Sequence, residues 1–421
     1  PPKLLMLMAD FIFKNNLKTL LIVSGGVEAV PGIQRAKEMG LNVVVSDGSP
    51  TAPGFEYADD YIIASTYNVD ETVDKAKHYH EMVREIDGVM CIASDVPLTV
   101  ASVAKELGLP GIPVESGELA MDKLAMKDKF KSDGVPIPNY KQLEKLSQLK
   151  ETLNDWRYPI VIKPVDSRGA RGVLRLTEKV DLPWAWTHAK ENSPTDRVMA
   201  EKYLEGPQVS TESIMINGKC HTVGFSDRNY EYLDKYAPYI IENGGDLPSY
   251  LPNNIQENIL KVVEKAALSM GIKNGIVKGD IVVHKDKPYV IELAARLSGG
   301  YFCTHEIPMN TGVDLVGNAI KMAIGEPVDP NDLKPRFNKN ICQRYIFPKP
   351  GVIKDISGFG ELVKKPSIKY FNLHVKSGQK IEEPTAHPSR AGMLIVTGKS
   401  REDARLNATT AIEAIKFSYQ T

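Results

Sequence analysis

The sequence predicts a mixed α/β and α+β protein, with a parallel sheet and crossover helices first and antiparallel hairpins after it. Three observations carry this. Short β-branched runs alternate with helical periodicity between residues 19 and 93. A sharply patterned hairpin occupies residues 276–293. The chain has 421 residues, enough for two to four domains at roughly 150 residues each.

Composition narrows the function classes. Charged residues make up 25% and hydrophobic residues 42%, an ordinary globular balance that excludes disordered and fibrous classes. Lys+Arg total 52 against 53 Asp+Glu, for a net charge of -1. With no basic excess, nucleic acid is not an expected partner. No apolar run reaches the roughly 18 residues of a membrane span, so no membrane partner is expected. The segment Pro1 to Asp10 is apolar, but Asp10 interrupts it, Lys14 and Lys18 follow, and no small-residue cleavage site appears. It reads as a first amphipathic helix rather than a signal peptide, and the non-Met first residue fits a trimmed initiator. Cys91, Cys220, Cys303 and Cys342 are far apart and form no CxxC pair. This argues against a zinc site or disulfide framework and for a reduced, cytoplasmic setting.

In chain order, residues 19–24 form a strand, Gly25-Gly26 a turn, and Ile33, Ala36 and Met39 the inner face of a helix. Strands follow at 42–46, 60–65 and 88–93. The full Gly-x-Gly-x-x-Gly is absent after the first strand, so a tight strand-to-helix turn is expected there rather than NAD binding. Leu109 to Pro113 marks a boundary. A helix over Glu115–Phe130 ends at Gly134-Val-Pro-Ile-Pro138. Residues 159–176 read as strand–loop–strand, with further strands at 197–204 and 209–217. Helical periodicity runs through 254–271 and stops at Gly271. After the 276–293 hairpin come a helix at 313–324, short strands beyond Pro330, and a final helix at 401–416.

The hairpin carries the sharpest chemistry. A turn at Lys285–Lys287 centred on residue 286 places Asp280 opposite Glu292 on one face of the ladder. Directly opposed carboxylates repel, more so on a half-buried sheet, and a divalent cation relieves the repulsion. Two solvated acids on an exposed face are the plain alternative. Lys163 ends an apolar strand, and Ser167, Arg168, Gly169, Arg171 and Gly172 follow in a loop suited to phosphate. This is not a Walker loop, and alone it also suits a solvated hairpin loop. No HExxH spacing and no Gly-x-Ser-x-Gly elbow occur.

Taken in order, these pieces resemble the ATP-grasp superfamily. The ordered set is Asp122-Lys123, Gly134–Pro138, Ile160-Val-Ile-Lys163-Pro, the Ser167–Gly172 loop, Glu201-Lys-Tyr-Leu-Glu-Gly206, Asp280, and Ile291-Glu-Leu-Ala-Ala-Arg296. The resemblance runs from about residue 20 to 330 and implies an ATP-grasp fold behind a Rossmann-like pre-ATP-grasp domain. The expected domains are residues 1–114, the ATP-grasp unit 115–330 with a small lobe at about 139–206, and a C-terminal α+β piece, 331–421. It implies that Lys123 and Lys163 contact ATP phosphates under the Ser167–Gly172 loop, with Arg168, Gly169 and Arg171 in it. Glu201, Lys202 and Leu204 would meet adenine, partly through backbone groups. Gln208 stands where a ribose-binding Glu is common. Asp280 and Glu292 would hold Mg²⁺, with Mn²⁺ as a substitute. Arg296 would stabilise an acyl phosphate or tetrahedral state.

Ala294 stands where many relatives carry a metal-binding Asn. Glu-x-Ala-x-Arg followed by Gly looks more like the L-amino-acid (dipeptide) ligase group than biotin carboxylase. The implied activity is an ATP-dependent carboxylate–amine ligase acting on small molecules, with Arg296 and Lys163 as catalytic groups. Arg296, Ser298, Gly299 and Gly300 would cradle the substrate carboxylate. Asp227-Arg228 would read an amino or carboxylate group, or lie in a solvated loop. Selectivity is expected around residues 220–250 and 296–310, and a homodimer is the assembly common among relatives. Activation of bicarbonate or formate is the alternative enzyme reading, and an inactive nucleotide-binding protein the alternative outside catalysis.

Overall fold

A computed structural model describes residues 17–420, and the first amphipathic helix expected at the chain start lies outside them. Strands β1 (Thr19–Val23), β2 (Asn42–Asp47), β3 (Asp60–Ile63) and β4 (Gly88–Met90) form a parallel sheet in the order β3-β2-β1-β4. Helices Val30–Glu38, Val69–Met82 and Pro97–Leu107 connect or follow them. Both faces of the sheet are covered, which is why β1 is buried throughout and apolar from Leu20 to Val23. Leu20 and Ile22 pack with Ile33 and Ala36 on one side, and Leu21 and Val23 pack with Ala76 and Val103 on the other.

The helix expected over Glu115–Phe130 is two helices, Val114–Met121 and Lys123–Ser132. Asp122 leaves helical geometry at φ -128° and ψ 103°, and its carboxylate accepts from Ala125 N at 2.8 Å. An Asp at the N-cap satisfies one orphan donor of the second helix, which outweighs the continuous periodicity. Lys123 thereby becomes the first residue of a helix, beside the Val165 carbonyl.

A four-stranded antiparallel sheet follows, built from β5 (Tyr140–Leu143), β6 (Ile160–Pro164), β7 (Leu174–Leu176) and β8 (Val198–Lys202) in the order β5-β8-β6-β7. Helices Leu146–Trp156 and Leu182–Glu191 cover it.

The remaining strands are β9 (Gln208–Ile216), β10 (Lys219–Arg228), β11 (Gly245–Leu247), β12 (Gly275–His284), β13 (Lys287–Ala294), β14 (Asn340–Ile346), β15 (Gly351–Ser357), β16 (Ile368–Leu373), β17 (Lys380–Ile381), β18 (Gly392–Gly398) and β19 (Lys416–Tyr419). Eight of them form one antiparallel sheet, β13-β12-β9-β10-β11-β14-β18-β16, while β17-β15-β19 stand apart. The large sheet continues across residue 330, the boundary expected from the sequence, because β11 pairs with β14. The last helix is Arg401–Ala414, shorter than expected because β19 begins at Lys416.

Two local features shape the site. Gly206 joins β8 to β9 at φ +147°, and a Cβ there would sit 1.9 Å from the Val283 carbonyl oxygen, so only glycine fits. The β12–β13 turn holds two residues, Lys285 and Asp286, both at positive φ, as tight hairpins require. The expected turn over Lys285–Lys287 is corrected accordingly, since Lys287 already pairs with His284.

Candidate active site

The sheets meet around a cleft of about 610 Å³, within the ~300–1,000 Å³ common for ligand pockets. One of its walls starts at the end of β6. There the buried Lys163 Nζ lies 3.1 Å from Glu201 Oε1, and Lys127 Nζ pairs with Glu201 Oε2. Burial favours neutral groups in such a triad. It lowers Lys127 to about 8 against the pull of Glu201. It would raise Glu201, but Lys127 and Lys163 outweigh it and hold the carboxyl below its usual range. Glu201, expected at adenine, reaches the cleft with its carboxylate committed to two lysines. Lys127 was missed by the sequence reading, although it lies one helical turn beyond Lys123.

Lys123 donates to the Ser167 carbonyl at 2.7 Å and lies 3.6 Å from Glu292. Lys202 Nζ is tied to the carbonyls of Trp156 and Arg157. Leu204 and Gln208 line the cleft beside it. In the loop after β6, the Arg168 guanidinium stacks 3.9 Å from the Tyr67 ring, and His387 N donates to the Gly169 carbonyl at 3.0 Å. The loop is thus strapped to both the N-terminal sheet and the C-terminal segment. Arg171 is a correction. Positive φ at Gly169, Ala170 and Gly172 reverses the chain, so Arg171 turns back to the Arg168 carbonyl and lines a separate recess.

Asp280 and Glu292 are direct partners across β12–β13. Asp280 Oδ1 accepts from Ser210 Oγ at 3.3 Å, lies 3.0 Å from Arg228 Nη1, and also meets Lys278 Nζ. Burial would raise Asp280, but Arg228 and Lys278 hold it far below the usual carboxylate range. Among the described residues these contacts all fall on Oδ1, and Glu292 has only the long Lys123 contact. Asp280 Oδ2 and Glu292 therefore remain as hard oxygen donors on one face, a set that suits Mg²⁺. Ala294 pairs with Lys278 across the same ladder.

Beyond the opposed acid pair, Arg296 Nε donates to Asp95 Oδ1 at 2.6 Å. The two meet because Ile92 bridges Leu297 and Ala93 N donates to the Leu297 carbonyl at 3.1 Å. Asp95, unnoticed in the sequence, follows the carboxyl end of a parallel strand, where such sheets bind ligands. Ser298 donates from both N and Oγ to Glu212, a carboxyl that burial pushes up to about 7. Gly299 and Gly300 line the cleft, and Gly300 N donates to Glu28 Oε2 at 2.9 Å.

Asp227 and Arg228 lie in β10 rather than in a solvated loop, and alternation sends them to opposite faces. Arg228 reaches the cleft, 2.6 Å from Glu242. Asp227 turns away to Ser249, Tyr250 N and Arg401, a second correction. Burial would raise Glu242, but Arg228 and Arg390 pull it down to about 2. Arg390 and Tyr345 come from the C-terminal segment and had no sequence signal.

The matching family models agree with this layout. An ATP-grasp N-terminal domain matches residues 33–111, an ATP-grasp domain 120–300, and an L-amino acid ligase C-terminal domain 2 matches 344–420. The chain belongs to the ATP-grasp superfamily of ATP-binding ligases, whose members use ATP and Mg²⁺. It is 24% identical over 397 residues to an uncharacterized protein, y4rH, of Sinorhizobium fredii, covering 92% of this chain and 80% of that one. It is 30% identical over 199 residues to the D-alanine--D-alanine ligase of Gloeobacter violaceus, covering 44% of this chain and 63% of that ligase. The L-amino acid ligase of Bacillus licheniformis shares the fold at a TM-score of 0.80 and 22% identity, over 96% of this chain and 99% of that one. No helix among the described residues is long and apolar enough to cross a membrane.

Proposed function

We propose that the protein is an ATP-dependent carboxylate–amine ligase of the L-amino acid ligase type. The observation that carries this reading is the shared cleft. The Lys123–Lys163 wall and the Arg296–Gly300 loop flank one opposed acid pair, Asp280 and Glu292. The C-terminal family match at 344–420 points the same way.

A carboxylate oxygen attacks the γ-phosphorus of ATP, the bond to the β–γ bridging oxygen breaks, and ADP leaves. The product is an acyl phosphate. An amine lone pair then attacks the acyl carbon, the C–O bond to phosphate breaks, and the amine proton passes to water. Lys163 and Lys123 neutralise charge on the phosphates, with Arg168 closing the loop over them. Asp280 and Glu292 would hold Mg²⁺, which supplies neutralisation of the transferring phosphoryl group. Arg296, oriented by Asp95, meets the acyl phosphate and then the tetrahedral oxyanion. Ser298 N and Oγ are fixed by Glu212, so the Ser298–Gly300 backbone is held in place for the carboxylate end.

The test is a phosphate-release screen with Mg-ATP over paired carboxylates and amines, with mass spectrometry of the product. An amide with one ADP and one phosphate per bond supports the reading. Phosphate release driven by bicarbonate or formate alone opposes it.

A further inference from the structure

The segment between β16 and β18 sends His374, His387, Pro388 and Arg390 to the cleft. His374 is exposed, whereas His387 is half-buried and opens the 3₁₀ turn His387–Ser389. Its backbone is held on both sides. The N–H donates to the Gly169 carbonyl at 3.0 Å, and the carbonyl accepts from Arg390 N at 3.2 Å. Arg390 in turn donates to the Glu242 carbonyl at 2.7 Å and stacks 3.7 Å from the Tyr345 ring. His387 is therefore built into the wall. Among the described residues its imidazole has no hydrogen-bond partner, so its ring nitrogens are left for what enters the cleft.

The charged groups facing the ring are Arg390 on its own segment, Glu242 ahead of β11, Arg228 on β10 and Asp280 on β12. Arg168 and Arg171, from the loop that His387 clamps, turn instead to Tyr67 and to the separate recess. Burial and then Arg390 hold His387 well below the usual imidazole range, with Arg228 acting the same way and Glu242 and Asp280 against. A neutral imidazole carries one acceptor nitrogen. The carboxyls nearby are poorer proton acceptors. Glu242 is paired with Arg228 at 2.6 Å, and Asp280 with Arg228 and Lys278. Glu306, 2% exposed on the same cleft, is pushed well above the usual carboxylate range by burial and then by Glu242, so it keeps its proton.

We propose that His387 is the general base of amide formation, taking the proton from the attacking amine. This rests on the ligase reading above and adds the group that moves that proton. The amine lone pair forms the C–N bond as the C–O bond to phosphate breaks. One N–H proton passes to the acceptor nitrogen of His387 and from there to water, and the electron pair of that N–H bond stays on the amide nitrogen. The same residue clamps the loop after β6 through its N–H, so the base and the loop keep one geometry.

The test compares two nucleophiles with Mg-ATP and each common L-amino acid as the acid. Hydroxylamine attacks acyl phosphates without a base, so hydroxamate reports the acyl phosphate alone. The same amino acids supplied as amines report the full reaction. In H387Q the ratio of amide to hydroxamate should fall on the order of 100-fold, the size of a lost general base. In H387A added imidazole should restore amide formation about 10-fold and leave hydroxamate unchanged. A ratio within about 10-fold of wild type in H387Q, equal loss of both products, or no recovery with imidazole would overturn the assignment. A merely structural role lowers both products together. A wild type that forms neither product across the panel fails the ligase reading, and this one with it; a wild type that forms both while the ratio stays fixed in H387Q fails this one alone.

Discussion

Asp280 and Glu292 stand opposite each other in the β12–β13 ladder because one residue bulges out between the turn and the site. The two-residue turn sets a register running from His284↔Lys287 to Ile281↔Val290, which continued would pair Asp280 with Ile291. A shift between Asp280 and Ile281 brings Glu292 into that place instead. Without it Glu292 would fall on the other face of the sheet.

Removing either carboxylate should therefore cost chemistry more than fold. E292Q should lower kcat about 100–1,000-fold, the size of a lost charge-stabilising contact. Its thermal midpoint should move little, since among the described residues Glu292 has only the 3.6 Å contact to Lys123. D280N should lose comparable activity and more stability, because it strips a partner from Arg228 and Lys278. Steady-state kinetics and thermal denaturation on both variants check this. Unchanged kcat in E292Q removes the metal assignment.

The lysine pair around Glu201 predicts an asymmetry. K163A leaves Glu201 paired with Lys127, so the fold should survive while the KM for ATP rises at least 10-fold. E201A leaves two buried ammonium groups without their carboxylate and should cost about 3–5 kcal/mol of stability. Denaturant titration with ATP kinetics separates the two outcomes, and equal destabilisation by both variants would contradict it.

Glu212 gives a pH signature. Burial raises its folded pKa to about 7 from 4.5. The folded state then binds more protons than the unfolded state between about pH 4.5 and 7. Stability from this group is full below that window and is lost as pH rises through it, by up to ~1.4 kcal/mol per pH unit. E212Q should lack that slope. Urea unfolding from pH 5 to 8 checks it, and parallel wild-type and E212Q profiles would contradict it.

Gly172 should tolerate no side chain. It sits at φ +72°, and a Cβ would come within 2.6 Å of Asn192 Cβ and 2.7 Å of Pro164 Cγ. G172A should destabilise by about 1–3 kcal/mol and weaken ATP use through the displaced loop. A wild-type melting temperature and ATP KM would rule this out.

Much of this was legible in the sequence because the signals are local. The apolar runs of β1 and β2 mark a sheet covered on both faces. The hairpin pattern placed Asp280 against Glu292, although the reflection about residue 286 reached that pair through the wrong turn. A three-residue turn and a two-residue turn plus a bulge give the same pairing at that depth. The helix break at Asp122 was hidden because a capping Asp and a surface Asp look alike in periodicity. Arg171 and Asp227 were misplaced because positive-φ turns and strand alternation decide which way a side chain leaves the chain. Lys127, Asp95, Glu306 and Tyr345 were invisible for a different reason. Their meaning comes from partners far away in sequence: Lys127 from Glu201, Asp95 from Arg296, and the last two from a wall shared across 300 residues of chain.

Oxygen transfer from the acid tests the ligase chemistry most directly. With the carboxylate substrate labelled with ¹⁸O, Mg-ATP and the amine, phosphate should emerge carrying one ¹⁸O per amide formed, alongside unlabelled ADP. Unlabelled phosphate, or AMP and pyrophosphate as products, would contradict an acyl phosphate formed in this cleft.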